Sequence, residues 1–86
     1  MSVGTAEIVA QLRSFLAARH QLEEDAVLDE STGLLGRGIG LDSVEVLQLV
    51  GRMEEAFGLT IGDEELDASH FQTVGAFVRF IEDHLR

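Results

Sequence analysis

Ser43 stands where a polar loop gives way to an apolar-periodic stretch, in Gly40-Leu41-Asp42-Ser43-Val44-Glu45-Val46-Leu47. A hydroxyl in the first turn of a helix is accessible. A phosphate joined to it would face unpaired backbone N–H groups and the positive end of the helix dipole. Other anchors for covalent chemistry are scarce, because the 86 residues include no Cys, Lys, Tyr or Trp. Neither His nor Lys lies near Ser43 in sequence, so nothing local supplies the base that a hydrolytic nucleophile requires. As the acceptor of a group brought by another enzyme, the serine needs only exposure. Asp-Ser is also an ordinary helix N-cap pair. Gly40 before it, an apolar patch beside it and an acidic surface after it favour the tether reading.

The other candidate constellations carry less. Between residues 41 and 70 lie Asp42, Glu45, Glu54, Glu55, Asp63, Glu64, Glu65 and Asp67, with Arg52 as the lone cation. Singly these are solvated surface residues; as a set beside an apolar patch they suit docking to basic partner surfaces. Nothing suggests a cleft that would set two carboxylates apart as acid and base. Asp63-Glu64-Glu65-Leu66-Asp67 lacks the alternating oxygen ligands and central Gly of a calcium loop. Gly36-Arg37-Gly38-Ile39-Gly40 has neither the intervals nor the preceding strand of a nucleotide loop, and reads as a sharp turn into the next helix. His20, His70 and His84 show no ligand spacing and are expected at surfaces or helix ends.

These residues need helices to position them. A first helix is expected from Thr5 as N-cap to about Arg19 or His20, burying Ile8, Val9, Leu12, Phe15 and Leu16. Residues 21 to 42 form a long connection, acidic at Glu23, Glu24 and Asp25, with Val27, Leu28, Leu34, Leu35 and Ile39 turned to the core. The second helix runs from Asp42 or Ser43 to Phe57 and stops at Gly58. Leu49, Val50, Met53 and Phe57 follow Val46 at intervals of three, four, seven and eleven and make a core stripe. Val44, Leu47 and Gly51 fall on nearly the opposite side, ringed by Glu45, Gln48 and Glu55. One core explains the first stripe and leaves the second over.

After an extended Leu59-Thr60-Ile61, a brief third helix capped by Asp63 is expected through Asp67 or beyond, with Leu66 inward. The last helix starts at Gln72 or Thr73 and buries Val74, Phe77, Val78, Ile81 and Leu85, with His84 and Arg86 at its negative end. Phe80 is expected partly exposed or lining a pocket. The fold class is therefore all-α, a small four-helix bundle with three long helices and one short, in a single domain over residues 1–86.

The net charge of −10 disfavours nucleic acid and anionic membrane surfaces as partners. It also predicts self-repulsion and a stability sensitive to salt. No apolar run approaches a membrane span, and no basic-then-apolar leader opens the chain. Absence of cysteine fits a reducing compartment, so a cytoplasmic, monomeric protein is expected.

Gly40-Leu41-Asp42-Ser43-Val44-Glu45 resembles the Asp-Ser-Leu modification motif of acyl carrier proteins. The similarity extends through Glu54-Glu55-Ala56-Phe57-Gly58, Ile61-Gly62-Asp63-Glu64-Glu65 and Phe71-Gln72-Thr73-Val74-Gly75 to Phe77, Phe80 and Ile81. On this resemblance both ends are expected to be those of a complete carrier. The resemblance implies a non-catalytic protein with a 4′-phosphopantetheine arm from coenzyme A on Ser43 Oγ, attached by a phosphopantetheinyl transferase. Asp42 would help position the metal during attachment. Val44, Glu45 and Leu47, with the acidic Glu54 and Glu55, would meet partner enzymes such as a ketosynthase, acyltransferase or ligase. Acyl groups would ride as thioesters for fatty-acid or polyketide synthesis. An aminoacyl or peptidyl carrier is the alternative, although the Gly-Gly-His-Ser or Gly-Gly-Asp-Ser of those carriers is missing. An unmodified acidic adaptor is the alternative of another class. Val44 replaces the usual Leu, and Gly51-Arg52 replaces apolar or small residues, departures that narrow the choice of partner.

Overall fold

The computed structural model describes residues 4–19, 28–36 and 38–85. Three α-helices span Thr5–Ala18 (α1), Ser43–Phe57 (α2) and Val74–His84 (α3). Two single 3-10 turns, Asp63–Glu65 and Ala68–Phe71, fill the interval between α2 and α3. The all-α reading holds for the described residues, and α1 lies against both α2 and α3. Expectations for His20, Glu23, Glu24, Asp25, Val27, Arg37 and Arg86 lie outside them.

Two expected helix starts are displaced. Gly4, not Thr5, is the N-cap of α1. The Thr5 hydroxyl instead donates to Glu82 Oε2 on α3 at 2.7 Å, a charge-assisted bond that competes well with capping. The expected short helix over residues 63–67 is replaced by the two turns, with Leu66 extended between them at φ −83° and ψ 95°. The Glu65 carboxylate folds back to accept the Gly62 N–H at 2.9 Å, which closes one turn. Asp67 starts the next, its carboxylate accepting the Ser69 hydroxyl at 3.0 Å. Leu66 is half-buried against the core from that extended position.

The core is continuous. Ile8, Leu12, Phe15 and Leu16 from α1 meet Leu49, Val50 and Met53 from α2 and Val74, Phe77, Val78, Phe80 and Ile81 from α3. Each such side chain withdrawn from water contributes roughly 1.5–3 kcal/mol before ordering costs. Phe80, expected partly exposed or lining a pocket, is buried at 6%. It is covered by rings: His70 stacks on it at 4.4 Å, and Phe71 and His84 meet it edge-on at 5.8 and 4.8 Å.

The described part of the long connection is held by backbone as well as by Leu28, Leu34, Leu35 and Ile39. Gly33 pairs antiparallel with Thr73 in an isolated bridge. The N–H groups of Leu34, Val74 and Gly75 donate to the carbonyls of Gln72, Thr32 and Glu30 at 3.1, 2.9 and 3.0 Å. Leu41 and Gly40 both donate back to the Leu34 carbonyl. A Cβ at Gly38 would collide with the Gly33 carbonyl, and Gly36 and Gly40 hold φ of 57° and 88°. These glycines therefore fold the connection tightly onto itself just before α2.

Candidate functional site

Asp42 is the N-cap of α2, and Ser43 is its first helical residue. Asp42 Oδ1 accepts the Glu45 N–H at 2.8 Å, and Glu45 Oε1 accepts the Asp42 N–H at 3.1 Å. This reciprocal box arises from Asp-Ser-Val-Glu, a capping residue with Glu three positions on. The Val46 N–H goes to the Asp42 carbonyl at 2.9 Å. Of the first-turn N–H groups, those of Ser43 and Val44 therefore keep no partner among the described residues. The expectation of unpaired donors facing an anion at Ser43 narrows to these two.

Ser43 differs from the other described serines. Ser14 Oγ accepts from Arg52, Ser31 Oγ donates to Asp29, and Ser69 Oγ donates to Asp67. The exposed Ser43 hydroxyl has no such engagement. No polar or charged side chain is fully buried among the described residues. The Asp42 carboxylate is exposed and committed to the cap.

The two faces of α2 separate as the periodicity predicts. Leu49, Val50 and Met53 are buried, whereas Val44 and Leu47 are 60% and 55% exposed. Glu55 is exposed beyond them. Glu54 has a structural task, its Oε2 accepting the Ile61 N–H at 2.9 Å and fixing the chain as it leaves α2. At that exit Gly58 takes φ 65°, as a helix-ending glycine should.

An apolar hollow of about 340 Å³ lies beside Ser43. Val46 and Leu47 contribute from α2, Leu35 from the connection, Leu66 from the extended residue between the two 3-10 turns, and Ala68 and Phe71 from the second of them. Leu35 and Leu66 pack inward as expected, but that they line a hollow with Ala68 and Phe71 is not legible from periodicity, because none of the four belongs to an α-helical stripe. The available signal is local: Leu34-Leu35 is an apolar pair of which one side chain fills the core and the other faces the hollow.

The wall formed by the 3-10 turns is tied to α3 through His84. Its Nδ1 lies 2.8 Å from the Phe80 carbonyl and its Nε2 lies 2.8 Å from Glu65 Oε1. Both neighbours only accept hydrogen bonds, so both contacts are satisfied together by the imidazolium. The Phe80 carbonyl first, and then the Glu65 carboxylate, hold the His84 pKa above its ordinary value against partial burial. Glu65 is held below the usual carboxylate value by the Gly62 N–H and then by His84.

The chain matches the family model described as "Phosphopantetheine attachment site" over residues 10–81. It is also similar to the acyl carrier proteins of Clostridium perfringens strains SM101, ATCC 13124 and 13. Each is 34% identical over 74 residues, which cover 86% of this chain and 92% of the relative. The exposed hydroxyl at a capped helix start and the neighbouring apolar hollow fit such a prosthetic group. The chain belongs to the acyl carrier protein family, whose members carry a covalently attached 4′-phosphopantetheine.

Proposed function

We propose that Ser43 is the attachment residue and that the chain carries acyl groups for fatty-acid or polyketide-type synthesis. The observation that carries this is the state of Ser43: exposed, first in α2, and without the hydrogen bonds that occupy Ser14, Ser31 and Ser69. When bound, the arm supplies a terminal thiol that holds an acyl group as an activated thioester. The rest is the task of the chain's own residues. The Ser43 and Val44 N–H groups and the helix dipole favour an anion at this position. Asp42 holds the first turn in shape and presents a carboxylate to the transferase and its metal.

Val44 and Leu47 form the apolar centre of the surface that partner enzymes meet, with Glu55 as an exposed charge on it. Glu45 and Glu54 add negative charge from positions where their carboxylates also hold backbone. Basic partner faces complement this surface and are steered to it. The hollow lined by Leu35, Val46, Leu66, Ala68 and Phe71 suits an alkyl segment better than a polar aminoacyl group, which favours acyl cargo. The expected setting is a monomer in the cytoplasm.

Incubation with coenzyme A, magnesium and a broad-specificity phosphopantetheinyl transferase tests the assignment. Intact mass should rise by one arm and one titratable thiol should appear, with no background from a chain lacking cysteine. Repeated absence of any mass change would overturn it.

A further inference from the structure

A groove of about 730 Å³ runs between α1 and α2, away from the hollow beside Ser43. Phe15 and Ala18 line it from α1, Arg19 from the residue that ends α1, and Gly51, Arg52 and Glu55 from α2. Its electrostatics are unusual for this molecule. The chain has 16 acidic residues against 6 arginines, yet neither Arg19 nor Arg52 forms an ion pair among the described residues. Both guanidiniums are nevertheless held in place. Arg52 donates through Nε to Gln11 Oε1 and through a terminal nitrogen to Ser14 Oγ, each at 3.1 Å. Those acceptors are neutral, so they orient the fork without forming an ion pair to it. Arg19 lies over the Phe15 ring at 4.6 Å, which fixes it without cancelling its charge.

Gly51, next to Arg52 in the chain, adds a notch to the groove. A Cβ there would meet nothing within 4 Å, so the space is open to a side chain from outside. On a helix, Val44, Gln48, Gly51 and Glu55 share one stripe at about 100° per residue. The exposed Val44 of the proposed docking surface thus shares its stripe of α2 with Gln48, Gly51 and Glu55 of the groove, and Arg52 forms the edge toward α1.

We propose that this groove receives a partner-enzyme segment in which one carboxylate side chain is flanked by cations. The carboxylate meets Arg52 and Arg19, an adjacent apolar group enters the notch over Gly51, and a neighbouring cation meets Glu55. The occupant is a protein segment of this pattern because the surrounding surface is strongly anionic. A wholly acidic partner would be repelled by it, and a wholly basic one would be mismatched at Arg52. Such an inverted charge sets the register of docking and discriminates among partners that share the basic face. The inference rests on the carrier reading, since it concerns docking along α2.

The test is an NMR titration of ¹⁵N-labelled protein, both arm-bearing and unmodified, with two N-acetylated, C-amidated peptides. One is Arg-Ile-Asp-Leu-Arg and the other is Arg-Ile-Asn-Leu-Arg. The Asp peptide should shift the Gly51 amide and the Arg52 Nε–H and bind about fivefold or more tightly than the Asn peptide. Arg52→Gln should erase that difference. Gly51→Leu places a better helix former in open space. It should weaken both peptides and keeps the test decisive if Arg52→Gln loosens α1 from α2. Equal binding of the two peptides, shifts centred elsewhere, or no response in the groove would overturn the proposal. Intact mass before the titration reports separately on the carrier reading. A chain that takes the arm but ignores the Asp peptide retains that reading and loses the groove.

Discussion

At the scale of single residues, the site is a capping box with a hydroxyl set in its first turn. Asp42 has two separable tasks, and substitution distinguishes them. Asp42→Ala should cost about 1 kcal/mol of stability in urea unfolding, because the cap acceptor is lost. Asp42→Asn keeps an acceptor oxygen and should unfold near the wild-type midpoint. If the carboxylate serves arm attachment, both variants slow that reaction; an Asn variant modified at the wild-type rate would leave Asp42 a structural role only. His84 makes a second residue-scale prediction. Its folded pKa lies above the unfolded value, so its contribution is fully present below about pH 6.5 and fades as pH rises through the folded pKa. Glu65 has the opposite sign, its contribution being lost as pH falls below the ordinary carboxylate range. Urea midpoints should therefore decline as pH rises beyond about 6.5 in the wild type and decline less in His84→Gln. Parallel profiles would show that the Phe80–His84–Glu65 contacts contribute no pH dependence. The Asp42 cap was legible in the sequence because it is local, whereas the return of Glu45 to the Asp42 N–H was not read, Glu45 being expected only on the partner-facing surface. Thr5 misled because its acceptor, Glu82, is 77 residues away.

At the scale of elements, α2 uses two faces for two purposes. Leu49, Val50 and Met53 face the core, and Val44 and Leu47 face solvent. Val44→Glu and Leu47→Glu should leave stability within about 0.5 kcal/mol, as exposed substitutions do. They should lower kcat/KM for arm attachment through weaker docking. Loss of stability without loss of docking would contradict the division of faces. Periodicity made α2 and α3 readable because long amphipathic stripes are sampled over several turns. The segment from residue 62 to 72 was not readable in that way. Its turns are too short to show a period, and the return of the Glu65 carboxylate to Gly62 decides its path. Leu35 and Leu66 were read as inward-facing, but the hollow they line with Ala68 and Phe71 was not, because it is assembled from outside the α-helices. The connection before α2 was legible as tethered by apolar residues. Its backbone pairing with the start of α3 was not, since that depends on long-range contact.

At the scale of the whole molecule, a net charge of −10 acts on stability and on association together. Added sodium chloride should raise Tm by screening self-repulsion, with magnesium effective at lower concentration. A Tm independent of both would contradict that account. The same charge that repels within the chain steers basic partners toward α2, so docking should weaken as salt rises while the fold strengthens. The central claim is that the molecule acts through one arm at one serine. The most direct measurement is fragmentation mass spectrometry of the transferase-treated protein, with Ser43→Ala alongside. The account predicts a single phosphopantetheine, localised to Ser43 and absent from the variant. An arm on Ser31 or Ser69, or one retained by Ser43→Ala, would contradict it.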